Sequence, residues 1–515
     1  MRIVLGAIRM IYIEGGYQMS YVLGVDLGTS AVKVLLVSKT GEVVDEVSKD
    51  YPLYHDKPGY SEQDPEDWVK QTKAALKELT SRMDDPSQVE GLSFSGQMHG
   101  LVLLGEDHKP LRRAILWNDT RTTAECREIE ENVGLDRLHE LTKNPALEGF
   151  TLPKLLWVKK HEPEIFAKAK VFLLPKDYVR YALAGDLSMD YSDAAGTLLL
   201  NVADKEWSEE MCEKNGIPLS LCPTLVGSDQ QTGTILPEVA EETGLTVNCK
   251  VFAGGADNAC GAIGAGILED GLTLSSTGTS GVVLSYEATG DKDFQGQVHY
   301  FNHGDPNAFY TMGVTLAAGY SLSWFKDTFA GEISFEELVK EAEASTVGAK
   351  GMLFAPYIVG ERTPYPDSAI RASFIGVHAN HKRGDFARAV IEGITFSLNE
   401  SVEIFRNKGK NVSKVVAIGG GAKSELWLQT QADIFNAEVV TLANEQGPGM
   451  GAAILAAVGC GWYPSLADCA KDFVSYTRSY KPNQENVQKY EKLFKLYQTI
   501  YHSTKQLNHE LAEFR

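Results

Sequence analysis

Apolar positions along the chain form short β-type runs that end in glycine-rich corners, separated by stretches with helical spacing. Tyr21–Ser38, Y-V-L-G-V-D-L-G-T-S-A-V-K-V-L-L-V-S, has a β-rich run up to Asp26, a Gly-Thr-Ser turn and a second β-rich run from Ala31. This predicts a strand–turn–strand hairpin. Leu274–Ser285, L-S-S-T-G-T-S-G-V-V-L-S, repeats the device 250 residues later, with Gly278 in the place of Gly28. Two such hairpins, one per half, predict two related domains that face each other.

Val251–Gly266, V-F-A-G-G-A-D-N-A-C-G-A-I-G-A-G, predicts a different corner. A buried strand ends near Ala253, Gly254 and Gly255 turn the chain, and a helix of small residues follows from Ala259. Asp257 stands at the lip. The residues alone leave two readings open: a base or metal ligand offered at a corner, or an N-cap accepting backbone N–H bonds.

The other elements follow in order. Asp64 and Pro65 open a helix running towards Met83. Val89–Leu104 holds two β-rich runs around S-G-Q-M-H-G, which sets Gln97, Met98 and His99 between Gly96 and Gly100. For a loop histidine between apolar strands, ligand contact and solvation are both open. In Ile115–Arg121, I-L-W-N-D-T-R, the cluster Asn118, Asp119 and Arg121 orders either a site or only itself. Phe150–Lys160 and Asp177–Ala184 read as helices, and Asp190–Thr197 as a polar loop; the first half closes near Gly266.

In the second half, Tyr310–Phe325 is apolar and rich in small residues, and Phe354–Ser373 is a Pro-rich excursion. Asp385–Asn407 reads as an amphipathic helix, with Phe386, Ala389, Val390, Ile394 and Leu398 on one face. Val415–Lys423 runs from a strand into three glycines, with a helix from about Ser424. Such a turn aims backbone N–H groups at a ligand. Gln446–Ala453 reads as a similar turn before a helix at 452–458, and 480–515 as a polar C-terminal helix. Residues 1–18 read as an extension ahead of a start at Met19, or as an extra edge strand.

Composition narrows the function. A chain of 515 residues suggests roughly two to four domains. A formal charge of −20 disfavours nonspecific binding to nucleic acid or anionic membrane, and an anionic ligand needs a locally prepared pocket. No apolar run approaches the ~20 residues of a membrane span. Seven cysteines, an odd number without C-x-x-C pairs, read as reduced cytosolic thiols. Gly28, Thr29 and Ser30 offer N–H and hydroxyl groups to a phosphate, and Asp26 beside them suits Mg²⁺, directly or through water; a plain hairpin with a turn aspartate is the alternative. No Walker A sequence is present, since Gly409-Lys410 is followed by Asn; no G-x-G-x-x-G follows a strand, and no Cys/His cluster has zinc spacing.

Taken in order, D-L-G-T-S, S-G-Q-M-H-G, G-G-A-D-N, S-T-G-T-S-G and G-G-G-A-K-S resemble the FGGY family of sugar kinases, over essentially 21–480. That family belongs with actin and hexokinase in the ribonuclease H-like ATPase superfamily. Ile375–Glu392 is similar to its second signature. The resemblance implies an α/β protein with two ribonuclease H-like domains facing across a cleft. It puts a mainly sugar-binding domain at 21–266 and a mainly ATP-binding domain at 267–480, between an extension at 1–20 and a helical tail at 481–515. It further implies that Asp257 is the general base and that Asp26 lies beside Mg²⁺ and the γ-phosphate. Met98 and His99 are implied as sugar contacts, with Asn258 as another. Gly278, Thr279, Gly420, Gly421 and Ser424 are implied on the nucleotide side, with Gly28, Thr29 and Ser30 at the phosphates. One departure is S-S-T-G-T-S where S-L-G-T-S is more usual, which puts Thr277 in place of Leu.

The sugar loop together with I-L-W-N-D-T-R resembles the branch of the family that phosphorylates D-xylulose. This implies a cytoplasmic enzyme using ATP and Mg²⁺, without nucleic-acid or membrane partners, for which a homodimer is one allowed assembly. Ribulose, gluconate or glycerol as the acceptor, and an actin-like ATP-switched binding protein, are the alternatives.

Overall fold

The β-branched runs on either side of each Gly-Thr-Ser turn pair with one another, and each hairpin becomes the middle of a sheet. The computed structural model describes residues 19–515; the predicted extension, up to residue 18, lies outside the described residues. The first sheet contains β1 (Tyr21–Leu27), β2 (Ala31–Ser38), β3 (Val43–Asp50), β4 (Val89–Gly96), β5 (Gln231–Thr234), β6 (Lys250–Phe252) and β7 (Gly255–Ala256). Its order is β3-β2-β1-β4-β6-β5, with β7 extending the pairing along β4. β1 runs antiparallel to β2 and parallel to β4, which sets Asp26 between Lys33 and Ser95. Helices α1 (Pro65–Ser81), α2 (Pro175–Ala184) and α3 (Asp257–Gly264) belong to this half. Asp64 caps α1 as expected, accepting the Glu66 N–H at 3.0 Å.

The second sheet contains β8 (Leu272–Thr277), β9 (Gly281–Glu287), β10 (His299–Asn302), β11 (Phe309–Thr315), β12 (Lys414–Gly419), β13 (Glu438–Leu442) and β14 (Tyr476–Tyr480), in the order β10-β11-β9-β8-β12-β13-β14. From β11 to β14 the senses repeat those of the first sheet. A hairpin with a third antiparallel strand is followed by two parallel neighbours and an antiparallel edge strand. Each G-T-S turn is closed by its glycine N–H, over slightly different spans: Gly28 N–H bonds the Ala31 carbonyl and Gly278 N–H the Ser280 carbonyl, each at 3.0 Å. The repeat predicted from two turns is thus a repeat of two whole sheets.

Several local expectations give way to tertiary packing. Helix α4 (Arg383–Asn407) is buried on nearly every face, its polar Glu392, Asn399 and Glu400 included, so it is not amphipathic in the expected sense. Asp190–Thr197 is not a loop: Tyr191–Ala195 is a short helix, and the acids Asp190 and Asp193 are buried against Lys176 of α2. The tail after β14 is two helices, Gln484–Tyr497 and Thr499–Leu511, rather than one. Of the glycines of 446–453, Gly447 (φ 60°) turns the chain ahead of a helix as expected, but that helix, α5 (Pro448–Gly459), starts earlier than expected and already contains Gly449 and Gly451.

Helix α5 follows the second sheet in sequence but packs on the first, covering β1 and β4 and lying against α3. The approach needs glycine. A Cβ on Gly24 of β1 would run into the Gly449 carbonyl, and one on Gly451 into the Cys260 carbonyl of α3. Among the described residues no helix is long and apolar enough to cross a membrane, and all seven cysteines are free.

We expect Gly451→Val to force α3 and α5 apart at a cost on the order of 3 kcal/mol or more, read as a lower urea midpoint. An unchanged midpoint would mean that the two helices do not depend on this contact.

Candidate active site

Helix α3 begins at Asp257 itself, two residues before the expected Ala259. Ala256 holds the cap position (φ −54°, ψ 147°) and no side chain caps the helix, so the N-cap reading of Asp257 is not what forms. Asp257 Oδ1 accepts the Asn258 N–H at 2.8 Å, with Asn258 Nδ2 at 3.3 Å. The corner is fixed from below. Ser192 Oγ accepts the Ala256 N–H at 2.9 Å and hydrogen-bonds in turn to Asp190. Lys176 Nζ sits among Asp177 (2.6 Å), Asp190 (2.8 Å) and Asp193 (3.0 Å), all fully buried. Those three acids are spaced as a cation site would be, and a lysine fills it. A buried network is stable only when its charges are paired in this way.

The free carboxylates are the pair above this network. Loss of water around Asp257 pushes its carboxyl up to about 7, and the neighbouring Asp26 charge adds to the rise. Burial likewise pushes Asp26 up to about 6, offset in part by Ser95 and Lys33. Both acids, raised chiefly by burial, disfavour their own charge. They suit a proton acceptor and a site for a compensating cation.

The structure brings Met98, His99, Asn258 and Asp257 together. Asn258 Nδ2 lies 3.4 Å from Met98 Sδ, and the Tyr310 hydroxyl of β11 lies 3.9 Å from the same sulfur. His99 adopts φ 71°, a left-handed conformation uncommon for histidine. Its Nδ1 lies 2.7 Å from the Gly196 carbonyl, so Nδ1 carries the proton and Nε2 is an acceptor. The ring packs on Phe150 at 4.7 Å between centroids, with Phe301 of β10 at 6.1 Å. Burial, with the nearby Lys154 charge, holds His99 down at about 3. Gln97, between the same glycines, faces the core and donates to Gln63 Oε1 at 2.9 Å. Asp119 and Arg121 order one another, with Arg121 Nε 2.9 Å from Asp119 Oδ1.

Gly278, Thr279, Gly420, Gly421 and Ser424, the residues expected at the nucleotide, all line one cavity of about 780 Å³. Its apolar wall includes Tyr320, Phe335, Val339 and Trp427, which suits a flat aromatic group. Ser424 also caps Glu425–Phe435, accepting the Trp427 N–H at 3.3 Å. Gly28, Thr29 and Ser30 lie outside this lining, in the Asp26 hairpin. The Gly28 N–H is spent on closing the turn, and Thr29 Oγ1 accepts from Trp117 Nε1 at 3.0 Å. The cavity walls and the second-half side chains Phe301 and Tyr310 were not picked out from the sequence. The small-residue run Tyr310–Phe325 includes Tyr310 and Tyr320 but not Phe301, Phe335, Val339 or Trp427.

The sequence pattern of the FGGY family of carbohydrate kinases matches twice, its N-terminal domain over residues 21–264 and its C-terminal domain over 273–460. The chain belongs to the FGGY family of carbohydrate kinases. It is 59% identical to a xylulose kinase of Bacillus subtilis over 96% of this chain and 100% of that protein. The structure is similar to that of a gluconate kinase from Lactobacillus acidophilus (TM-score 0.91, 28% identity, covering 96% of this chain and 100% of that one). It is also similar to a ligand-bound xylulose kinase from the same organism (TM-score 0.90, 28% identity, covering 94% and 98%). The two-domain α/β architecture expected for an FGGY kinase is therefore present, with ATP as the phosphoryl donor that the family uses.

For this FGGY kinase we expect His99 to stay neutral and Nδ1-protonated from pH 5 to 8, since its pKa lies near 3. Nitrogen chemical shifts of labelled histidine check this; an imidazolium signal at pH 6 would contradict it.

Proposed function

We propose that this chain transfers the γ-phosphoryl group of ATP to D-xylulose, giving D-xylulose 5-phosphate. One juxtaposition carries the reading: Asp257, the carboxylate raised to about 7, is adjacent to Asn258, which reaches the Met98–His99 loop. The relatives named xylulose kinases support the choice of acceptor. In this reading His99 Nε2 and Asn258 bind sugar hydroxyls, and Asp257 takes the proton of the attacking hydroxyl as the O–P bond forms. ADP leaves from the cavity lined by Gly278, Thr279, Gly420, Gly421 and Ser424. The buried, charge-disfavoured Asp26 fits a divalent cation and would hold Mg²⁺ with the phosphates of ATP. Mg²⁺ supplies neutralisation of the charge that builds on the phosphoryl oxygens. Thr29 and Ser30 offer their hydroxyls at the same turn.

A sugar acid as acceptor is the second reading. Burial holds the Arg362 guanidinium below its usual range, its charge acts on His99, and it makes no ion pair among the described residues. ADP release measured against xylulose, ribulose, glycerol and gluconate separates the readings. A preference for gluconate would replace the first with the second, and sugar-independent ATPase activity with filament formation would defeat both.

Asp257→Asn should lower kcat by about a thousandfold while sugar affinity and urea midpoint stay close to the parent. Turnover within about tenfold would remove Asp257 from the role of base. Asp26→Ala should weaken the Mg²⁺ dependence of turnover and spare sugar affinity; an unaltered Mg²⁺ titration would leave Asp26 a turn residue only.

A further inference from the structure

Lys154 lies on the helix Thr151–His161 and is fully buried. Its ammonium ends on two main-chain oxygens, the His99 carbonyl at 3.0 Å and the Gly149 carbonyl at 2.5 Å. No carboxylate pairs with it among the described residues; Asp119, the acid whose charge acts on it, is bonded to Arg121. A buried ammonium held only by carbonyls is costly, and a purely structural position of this kind is better filled by an apolar side chain.

What it holds is the residue whose backbone is strained. His99 keeps φ 71° because its carbonyl is gripped twice from the same helix, by Lys154 Nζ and by Thr151 Oγ1 at 3.1 Å. The ring is fixed separately by the Gly196 carbonyl and by Phe150. Backbone and ring together determine where Nε2 points. Strain of this kind persists only where surrounding contacts over-determine it, and it concentrates at binding sites.

We propose that Lys154 is a positioning residue of the acceptor site, whose ammonium locks the His99 carbonyl so that Nε2 keeps its place against a sugar hydroxyl. This rests on the assignment of His99 to the sugar above.

Burial lowers Lys154 to about 7, with Arg121 pushing the same way and Asp119 and Cys126 opposing. The other groups facing it do not titrate in that window: His99 is held near 3, the Cys126 thiol is pushed up to about 12, and Arg121 is raised further by its carboxylates. Below pH 7 the ammonium offers three donors. Above it the amine has two and turns a lone pair towards a carbonyl. Sugar binding should therefore weaken as pH rises through about 7.

The test measures KM for the preferred sugar, KM for ATP and kcat for K154M, K154R and T151A, each with and without H99A, from pH 6 to 9. K154M should raise the sugar KM about tenfold or more, the loss of a buried bond from a charged donor, and leave the ATP KM within about twofold. In the H99A background K154M should add nothing. K154R should restore most of the affinity and flatten the rise in sugar KM that the parent shows through pH 7. Equal rises in both KM values, or an undiminished K154M effect beside H99A, overturn the proposal. If K154M does not fold, T151A serves, since it removes the other donor to the same carbonyl; an unchanged sugar KM in T151A overturns the proposal. An H99A enzyme with unchanged sugar KM overturns the His99 assignment as well, whereas a large H99A effect without a K154M effect sinks only the role of Lys154.

Discussion

Helices α3 and α5 cross at backbone distance, and the geometry of the candidate site depends on that contact. β1 carries Asp26 and approaches α5 at Gly24 and Gly449; α3 carries Asp257 and approaches α5 at Gly451. The two acids come from positions far apart in sequence, yet both are fixed to one helix. Contacts between main-chain atoms leave no side-chain torsion to absorb error, so the separation of the acids is set as firmly as the fold itself. The Lys176 network beneath Ala256 does the same for the turn that presents Asp257.

Charge is arranged in layers around this frame. The deepest layer is saturated, with Lys176 and Arg180 answering Asp177, Asp190 and Asp193. The layer above it is unsaturated: burial raises Asp26 and Asp257, the Asp26 charge raises Asp257 further, and His99 is kept neutral. A protein of net charge −20 cannot attract a nucleotide by its overall field. In the proposed reading, phosphate is met instead by turn hydroxyls, unspent backbone amides and a cation brought with the ligand.

What the sequence revealed was what is local. D-L-G-T-S and S-T-G-T-S-G specify hairpins because turn chemistry and β-branched flanks lie next to each other, and from these the two-domain repeat followed. The Asp257 corner was legible as strand, glycines and acid; its helix start was misplaced because Ala256 and Asp257 adopt helix-entry geometry without a capping side chain. In Q-G-P-G-M-G only Gly447 belongs to the turn; Gly449 and Gly451 read as turn residues because glycine in helices is disfavoured on its own, and the facing Gly24 and Cys260 explain them. Asp190–Thr197 reads as a loop since its polar residues signal solvent, and the partner of its acids, Lys176, comes from another helix. Lys154 gave no signal at all. A lysine in T-L-P-K-L-L-W reads as an exposed helical position, and its partner carbonyl is 55 residues away.

The return of α5 to the first sheet has a consequence for biosynthesis. A ribosome working from the amino end completes every strand of the first sheet by Ala256. The helix that covers Val22, Leu35, Val37 and Phe252 emerges only after almost all of the second sheet. Throughout that interval one face of the nascent domain is apolar and bare. The first domain can therefore complete its core only after most of the second is made, and a gene fragment ending near residue 266 lacks the helix that covers this apolar face.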